Sequence, residues 1–188
     1  MRLLLILLLC PLLAFAGHSG DNSGRNTTVI QAIEDGATYT GMPKTLMIQV
    51  AKKESTFNPN ARNSRSHALG LYQVVDKTWA YLVSTYGQAY DLSLEDRTDP
   101  LKATIGAGLL MREYKTRLER VLKRDITNKE VYLAYFAGPG TAIHLLRSDQ
   151  DTPIEEVMNS ASVRANPHIQ GCTVGEAIGK ITKGIDND

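Results

Sequence analysis

"IQVAKKESTFNPNARNSRSHALGLYQ" runs from Ile48 to Gln73. An apolar helical pattern ends in a glutamate, and a polar loop with a proline follows at once. Met47, Val50, Ala51 and Glu54 are spaced i, i+3, i+4, i+7, so they share one helical face. Lys52 and Lys53 fall away from it. Glu54 therefore extends an apolar stripe, and a glutamate is rarely buried without a partner or a task. Helix phase alone leaves two readings open. In one, Glu54 is a half-buried acid at the rim of a cleft, where desolvation raises its pKa and keeps it protonated. In the other, it is an exposed charge at a frayed helix end, where the helix dipole gives it no stabilisation.

The flanking sequence is almost wholly helical in pattern. Thr27 or Thr28 is placed to cap a helix reaching about Ala37, and Pro43 to open the helix that ends near Glu54. Asp76 precedes "KTWAYLVSTYG", which predicts a helix stopping at Gly87. Asp99-Pro100 opens the longest helix, to about Arg124. "TNKE" (Thr127 to Glu130) is a capping box for the helix carrying "VYLAYFAG". Gly138-Pro139-Gly140 interrupts before "TAIHLLR". Thr152 and Thr173 each begin a further helix, with a glutamate three residues on. Alternating strand patterns are absent, and residues 55–75 are the best place for loop and a little β structure. The expectation is a mainly α fold of roughly seven helices.

The chain has 188 residues, enough for one domain with a sizeable core, and its composition is ordinary for a globular protein. Residues 1–16 stand apart: a basic start at Met1-Arg2, an apolar run from Leu3 to Leu13, then "AFA" before Gly17. This is the pattern of a secretory signal peptide cleaved near Ala16-Gly17. The apolar run is shorter than the roughly 20 residues that span a bilayer. Residues 17–26 are small and polar and read as a flexible mature N-terminus, leaving 27–188 as the folded domain. Cleavage removes Arg2 and Cys10. Basic and acidic residues then stand equal at 20 each, and Cys172 is the only cysteine. A neutral chain argues against a nucleic-acid partner, and a single cysteine leaves the core to hold the fold without an internal disulfide. His67, His144 and His168 have no ligand spacing with each other or with Cys172, so no metal site is expected. In "REYKTRLERVLKRD" the i, i+4 pairs Glu113–Arg117 and Glu119–Lys123 predict a solvated helix face with its own ion pairs.

Taken whole, "ESTFNPNARNSRSHALGLYQ" (Glu54 to Gln73) resembles the signature of lytic transglycosylases of the SLT type, in the goose-type-lysozyme-like superfamily. Glu54-Ser55, Phe57, Asn58-Pro59, Ala61, Ser64, Ala68, Gly70-Leu71 and Gln73 carry the resemblance. A second block, "AYFAG" (Ala134 to Gly138), is similar to the family's Ala-Tyr-Asn-Ala-Gly. There are departures. One extra residue lies between Ala61 and Ser64, His67 stands where the family has glycine, and Phe136 stands where it has asparagine. A later tyrosine motif has no counterpart beyond "NPHIQGCTVGEA".

The resemblance implies a lysozyme-like catalytic domain that cleaves the β-1,4 bond between N-acetylmuramic acid and N-acetylglucosamine in peptidoglycan, outside the cytoplasmic membrane. It implies Glu54 as sole acid and base, no cofactor, and a 1,6-anhydro product. Tyr135 corresponds to the family tyrosine that hydrogen-bonds near the acid; read locally, it is equally a core aromatic beside Tyr132 and Phe136. Ser64, Gln73, Tyr135 and Phe136 are the implied substrate contacts, with Ser55 fixing the loop. The implied partner is a glycan strand, met by a monomer. Enzymes of this kind often serve envelope-spanning secretion or conjugation machines or phage infection, and the sequence selects none of these. Two alternatives remain. A hydrolytic muramidase would need a second carboxylate, with Asp76, Asp91, Glu95, Asp96 and Asp99 as candidates. A non-catalytic glycan-binding subunit would not need Glu54 at all.

Overall fold

Asp99-Pro100 opens the longest helix, α4 (Pro100–Leu122). The Asp99 carboxylate accepts from the Lys102 N–H at 2.8 Å, and a proline at the first helical position forfeits no bond. Ala103 to Met111 are all buried. This half of α4 is therefore enclosed on every side, and the other helices gather round it. The computed structural model describes residues 29–64 and 66–187. The expected signal peptide, the polar segment at 17–26 and the caps Thr27 and Thr28 lie outside the described residues.

The other α-helices are α1 (Val29–Thr40), α2 (Lys44–Ser55), α3 (Asp76–Tyr90), α5 (Asn128–Ala137), α6 (Pro139–Arg147), α7 (Ile154–Val157), α8 (Ser160–Ala165) and α9 (Val174–Ile181). Two 3-10 turns, Leu94–Thr98 and Pro167–Ile169, complete the described residues. The fold is mainly α, as expected. It has nine helices there rather than seven, because α7 and α8 are short pieces of four and six residues. Residues 55–75 hold loop and two isolated antiparallel bridges, Arg62 to Leu69 and Leu69 to Val74. One core cluster runs from Ile33 in α1 to Ile185 beyond α9. Among the described residues no helix is long and apolar enough to cross a membrane.

α1 packs most extensively on α4, and glycine permits the approach. A Cβ on Gly36 would lie 2.7 Å from the Thr104 side chain, and one on Gly108 would lie 2.5 Å from the Thr40 hydroxyl. These two glycine–threonine contacts set how close the helices come.

Most caps form as the residues dictate. Thr127 with Glu130 and Thr173 with Glu176 both make complete capping boxes. Four ends differ. Pro43 is the N-cap rather than the first helical residue of α2. α3 begins with Asp76 instead of being capped by it, and it passes through Gly87 to stop at Asp91, whose left-handed backbone (φ 51°) turns its N–H to the Gly87 carbonyl. α4 stops at Leu122, ahead of Lys123 at φ 58°. Thr152 caps nothing: α7 starts after Pro153, and Glu155 accepts instead from the Gly171 N–H at 2.8 Å.

Candidate active site

The phase of α2 places Glu54 as its spacing predicts. Met47, Val50 and Ala51 are wholly buried, Lys52 and Lys53 are exposed, and Glu54 is half-buried at the end of the apolar face. The helix stops one residue later. Thr56 takes the left-handed conformation (φ 53°) and donates its N–H to the Lys52 carbonyl at 2.9 Å, and Phe57 (φ 62°) donates to Ala51 at 3.4 Å. This is a helix stop of the left-handed type, closed by a 5→1 bond, with threonine where glycine is usual. Ser55 donates its hydroxyl back to the Ala51 carbonyl at 3.0 Å, which ties it into the helix end.

α5 brings the aromatic groups. The Tyr132 hydroxyl donates to Glu54 Oε1 at 2.7 Å, while the Tyr135 hydroxyl donates to the Tyr72 carbonyl at 2.6 Å. The bond to the carboxyl group thus comes from the tyrosine one turn earlier than the motif's. Tyr135 holds the loop that carries Gln73, and the two rings stack with centroids 6.4 Å apart. Burial pushes the Glu54 carboxyl above the ordinary glutamate range, against the opposing pull of the Tyr132 hydrogen bond and the Lys53 charge. Lys53 is itself held in place. Its ammonium lies 3.0 Å from the Lys183 carbonyl and 5.6 Å above the Tyr132 ring.

The loop from Thr56 to Val75 is tightly constrained. Gly70 (φ 84°) is so close to the 3-10 turn at Leu94–Thr98 that a Cβ would lie 2.2 Å from the Arg97 carbonyl. The Arg97 guanidinium reaches back to the Val74 carbonyl at 3.1 Å and to Asp76 at 2.6 Å. Thr56, Phe57, His67 and Gln73 all have positive φ. His67, at φ 58°, therefore occupies a backbone position suited to the glycine it replaces. Gln73 donates its amide nitrogen to the Ala61 and Gly70 carbonyls, both at 3.0 Å. Both amide hydrogens are thereby used within the loop, and the side chain's remaining capacity toward a ligand is as an acceptor.

Two cavities meet at Glu54 and Gln73. The inner one, about 280 Å³, is walled by Tyr135, Phe136, Thr78, Leu110 and Tyr114 among others. The outer one, about 590 Å³, runs along the loop past Ala61, Arg62 and Ser64. Glu54, Ser64, Gln73, Tyr135 and Phe136, drawn from residues 54 to 136, thus line one groove. A family model of the Transglycosylase SLT domain matches residues 31–158, more than half of the chain.

The chain belongs to the SLT transglycosylase family.

That family is one of peptidoglycan lytic transglycosylases with a lysozyme-like fold. The matched span of this SLT domain runs from within α1 to Met158, just past α7, so α8 and α9 lie beyond it. The second-carboxylate candidates are committed elsewhere. Asp76 pairs with Arg97, Asp91 with Lys102 at 2.7 Å, Asp96 accepts from the Ser93 N–H and Asp99 caps α4. None of these, nor Glu95, is among the residues that line the two cavities at Glu54. Tyr132 is the functional candidate that motif reading passed over. The available signal was its place three residues before Tyr135 on a helix whose start the capping box fixes. Cys172 is buried and free. Among the described residues no group of three or more His, Cys, Asp or Glu is placed to hold a metal ion.

Proposed function

We propose that this SLT domain cleaves the β-1,4 bond between N-acetylmuramic acid and N-acetylglucosamine and closes a 1,6-anhydro ring on the muramoyl end, with Glu54 as sole acid and base. The observation that carries this reading is that Glu54 is the single carboxylate lining the two cavities that meet at it, among the described residues. A two-carboxylate hydrolase needs a second acid facing the bond to activate water. Here the chemistry has one. Burial favours the protonated form, which suits the first step: the carboxyl donates its proton to the departing glycosidic oxygen. The substrate's own 2-acetamido group stabilises the cationic centre left behind. Glu54, now a carboxylate held by the Tyr132 hydroxyl, takes the proton from the C6 hydroxyl as that oxygen closes the ring. The proton count balances without water, and Glu54 ends protonated for the next turnover.

Ser64 and Gln73 contact the glycan in the outer cavity, and Tyr135 and Phe136 wall the inner one. Mass spectrometry of muropeptides released by the purified chain tests the reaction. Anhydro-muramoyl ends are expected, and a spectrum holding only reducing ends, one water heavier, would overturn it. The site of action is outside the cytoplasmic membrane, in the periplasm or the medium, reached by cleavage near Ala16-Gly17. N-terminal sequencing of the exported protein checks this, and an exported protein that still begins at Met1 contradicts it. The chain acts as a monomer on a glycan strand, a state that light scattering of the purified protein measures.

A further inference from the structure

The groove continues past the two cavities at Glu54. The inner one shares Thr78, Leu110 and Tyr114 with a third cavity of about 460 Å³, whose far wall includes Lys77, Tyr81, Glu113 and Arg117. That cavity shares Glu113 and Arg117 with a fourth, lined also by Arg112 and Arg120. Leu110, Tyr114 and Arg117 follow each other at four and three residues along α4, so they form one stripe leading outward from the inner cavity. At 1.5 Å per residue, Arg117 lies about 10 Å beyond Leu110 along that helix.

The charge on this arm is unbalanced. Lys77, Arg112, Arg117 and Arg120 line it together with one carboxylate, Glu113. Spacing predicts that Glu113 pairs with Arg117, but the fold diverts it. Glu113 Oε1 accepts from the Tyr81 hydroxyl at 2.8 Å and from the Tyr86 hydroxyl at short range. Glu119 likewise pairs with Lys115, at 3.8 Å, instead of Lys123. Arg112 donates to the Thr40 carbonyl at 3.2 Å. Among the described residues, Lys77, Arg117 and Arg120 have no carboxylate partner. Several cations converging on one concave surface concentrate anions there, and a guanidinium matches a carboxylate with two parallel hydrogen bonds.

We propose that the α4 arm of the groove binds the carboxylates of the peptide stems that peptidoglycan carries on its glycan strands, with Lys77 and Arg117 as the ligands nearest the sugar sites. On a peptide-bearing strand the sugars are uncharged, because each muramoyl lactyl carboxyl is tied up in the amide to its stem, and they give Lys77, Arg117 and Arg120 no counter-charge. The free carboxylates of the stems hang to the side of the strand. A strand seated at Glu54 carries them alongside α4. This inference rests on the glycan reading of the Glu54 site and adds to it a preference for peptide-bearing strands.

The test uses the full chain with Glu54→Gln, which stops turnover, and the same chain with Lys77→Gln and Arg117→Gln added. Dissociation constants are measured on three soluble strands: peptide-bearing, peptide-bearing with every stem carboxylate amidated, and peptide-free with every muramoyl lactyl carboxyl amidated. The added pair is expected to weaken binding about tenfold on the first strand and to leave the other two unchanged. Unchanged binding to peptide-free strands also shows that the variant is folded. Equal loss on all three strands, or loss on none, overturns the carboxylate site while leaving the glycan reading standing. A parent that binds none of the three overturns both.

Discussion

Tyr132→Phe separates the geometry at Glu54 from the motif that points to Tyr135. The substitution removes one hydroxyl and keeps the ring, which is 2 % exposed and carries Lys53 above it. Two effects follow from the 2.7 Å bond to Glu54 Oε1. A hydrogen bond to a charged acceptor contributes about 1.5–3 kcal/mol, and one to a neutral acceptor about 1 kcal/mol. Glu54 faces a cavity where water can replace the lost donor, so the low end applies: about 1.5 kcal/mol with Glu54 charged and about 1 kcal/mol with it protonated. That corresponds to a melting temperature lower by about 3–5 °C, with the larger drop at higher pH. Because the bond favours the charged form more, its loss raises the Glu54 pKa beyond what burial already does. The alkaline limb of the rate profile for solubilising purified peptidoglycan therefore moves to higher pH. The plateau falls by about tenfold, part of the 10²–10⁴ that a positioned acid supplies. Tyr135→Phe is the control. Its hydroxyl serves the Tyr72 carbonyl, so it loses activity without moving that limb. An alkaline limb that stays put in Tyr132→Phe, or that moves only in Tyr135→Phe, refutes the assignment.

Glu54→Gln is expected to lower the rate of muropeptide release by at least about 10²-fold. It also raises the melting temperature at neutral pH. Burial lifts the folded pKa of Glu54 above its unfolded value, so the stability from its protonation is complete below the unfolded pKa and lost as pH rises through the folded one. Calorimetry should therefore find the gap between variant and wild type closing in acid. Gly70→Ala puts a β-carbon at φ 84° and 2.2 Å from the Arg97 carbonyl. The backbone conformation alone costs about 1–2 kcal/mol, and the loop must shift as well, so urea unfolding should show at least that loss, with activity reduced alongside. Leu109→Ala, at a wholly buried position of α4, should cost about 2–5 kcal/mol by the same measurement. Asp99→Ala removes the cap of α4 and should cost about 1 kcal/mol.

What could be read from the sequence was local. The two threonine–glutamate capping boxes and Asp99-Pro100 are settled within four residues, and each forms as its pattern predicts. The face of α2 that carries Glu54 is equally local, because helix phase needs no knowledge of the rest of the chain. Two of the expectations that failed involve a partner distant in sequence. Asp76 reads as a cap until Arg97 arrives to pair with it. Glu155 reads as half of a capping box until the Gly171 N–H takes it. Gly87 reads as a helix stop, yet its carbonyl is free to receive the Asp91 and Leu92 N–H groups as the chain turns back.

The same division runs through the groove. Matching blocks in the sequence found the loop, the acid and the helix that faces them. They could not tell which of two tyrosines, three residues apart, meets a carboxylate 78 residues earlier in the chain. That choice depends on how α5 rotates against α2, and packing sets the rotation: the Tyr135 hydroxyl is spent on the loop carbonyl of Tyr72, which leaves Tyr132 to reach Glu54. Glu113 is the counterpart on α4. Its spacing to Arg117 satisfies the rule for a helical ion pair, but an exposed pair of that kind is worth only about 0.3–0.5 kcal/mol. Two tyrosine hydroxyls from α3 outbid it. A weak local pairing yielding to a stronger tertiary one is what leaves Arg117 uncompensated at the end of the groove, and so what gives that end its charge.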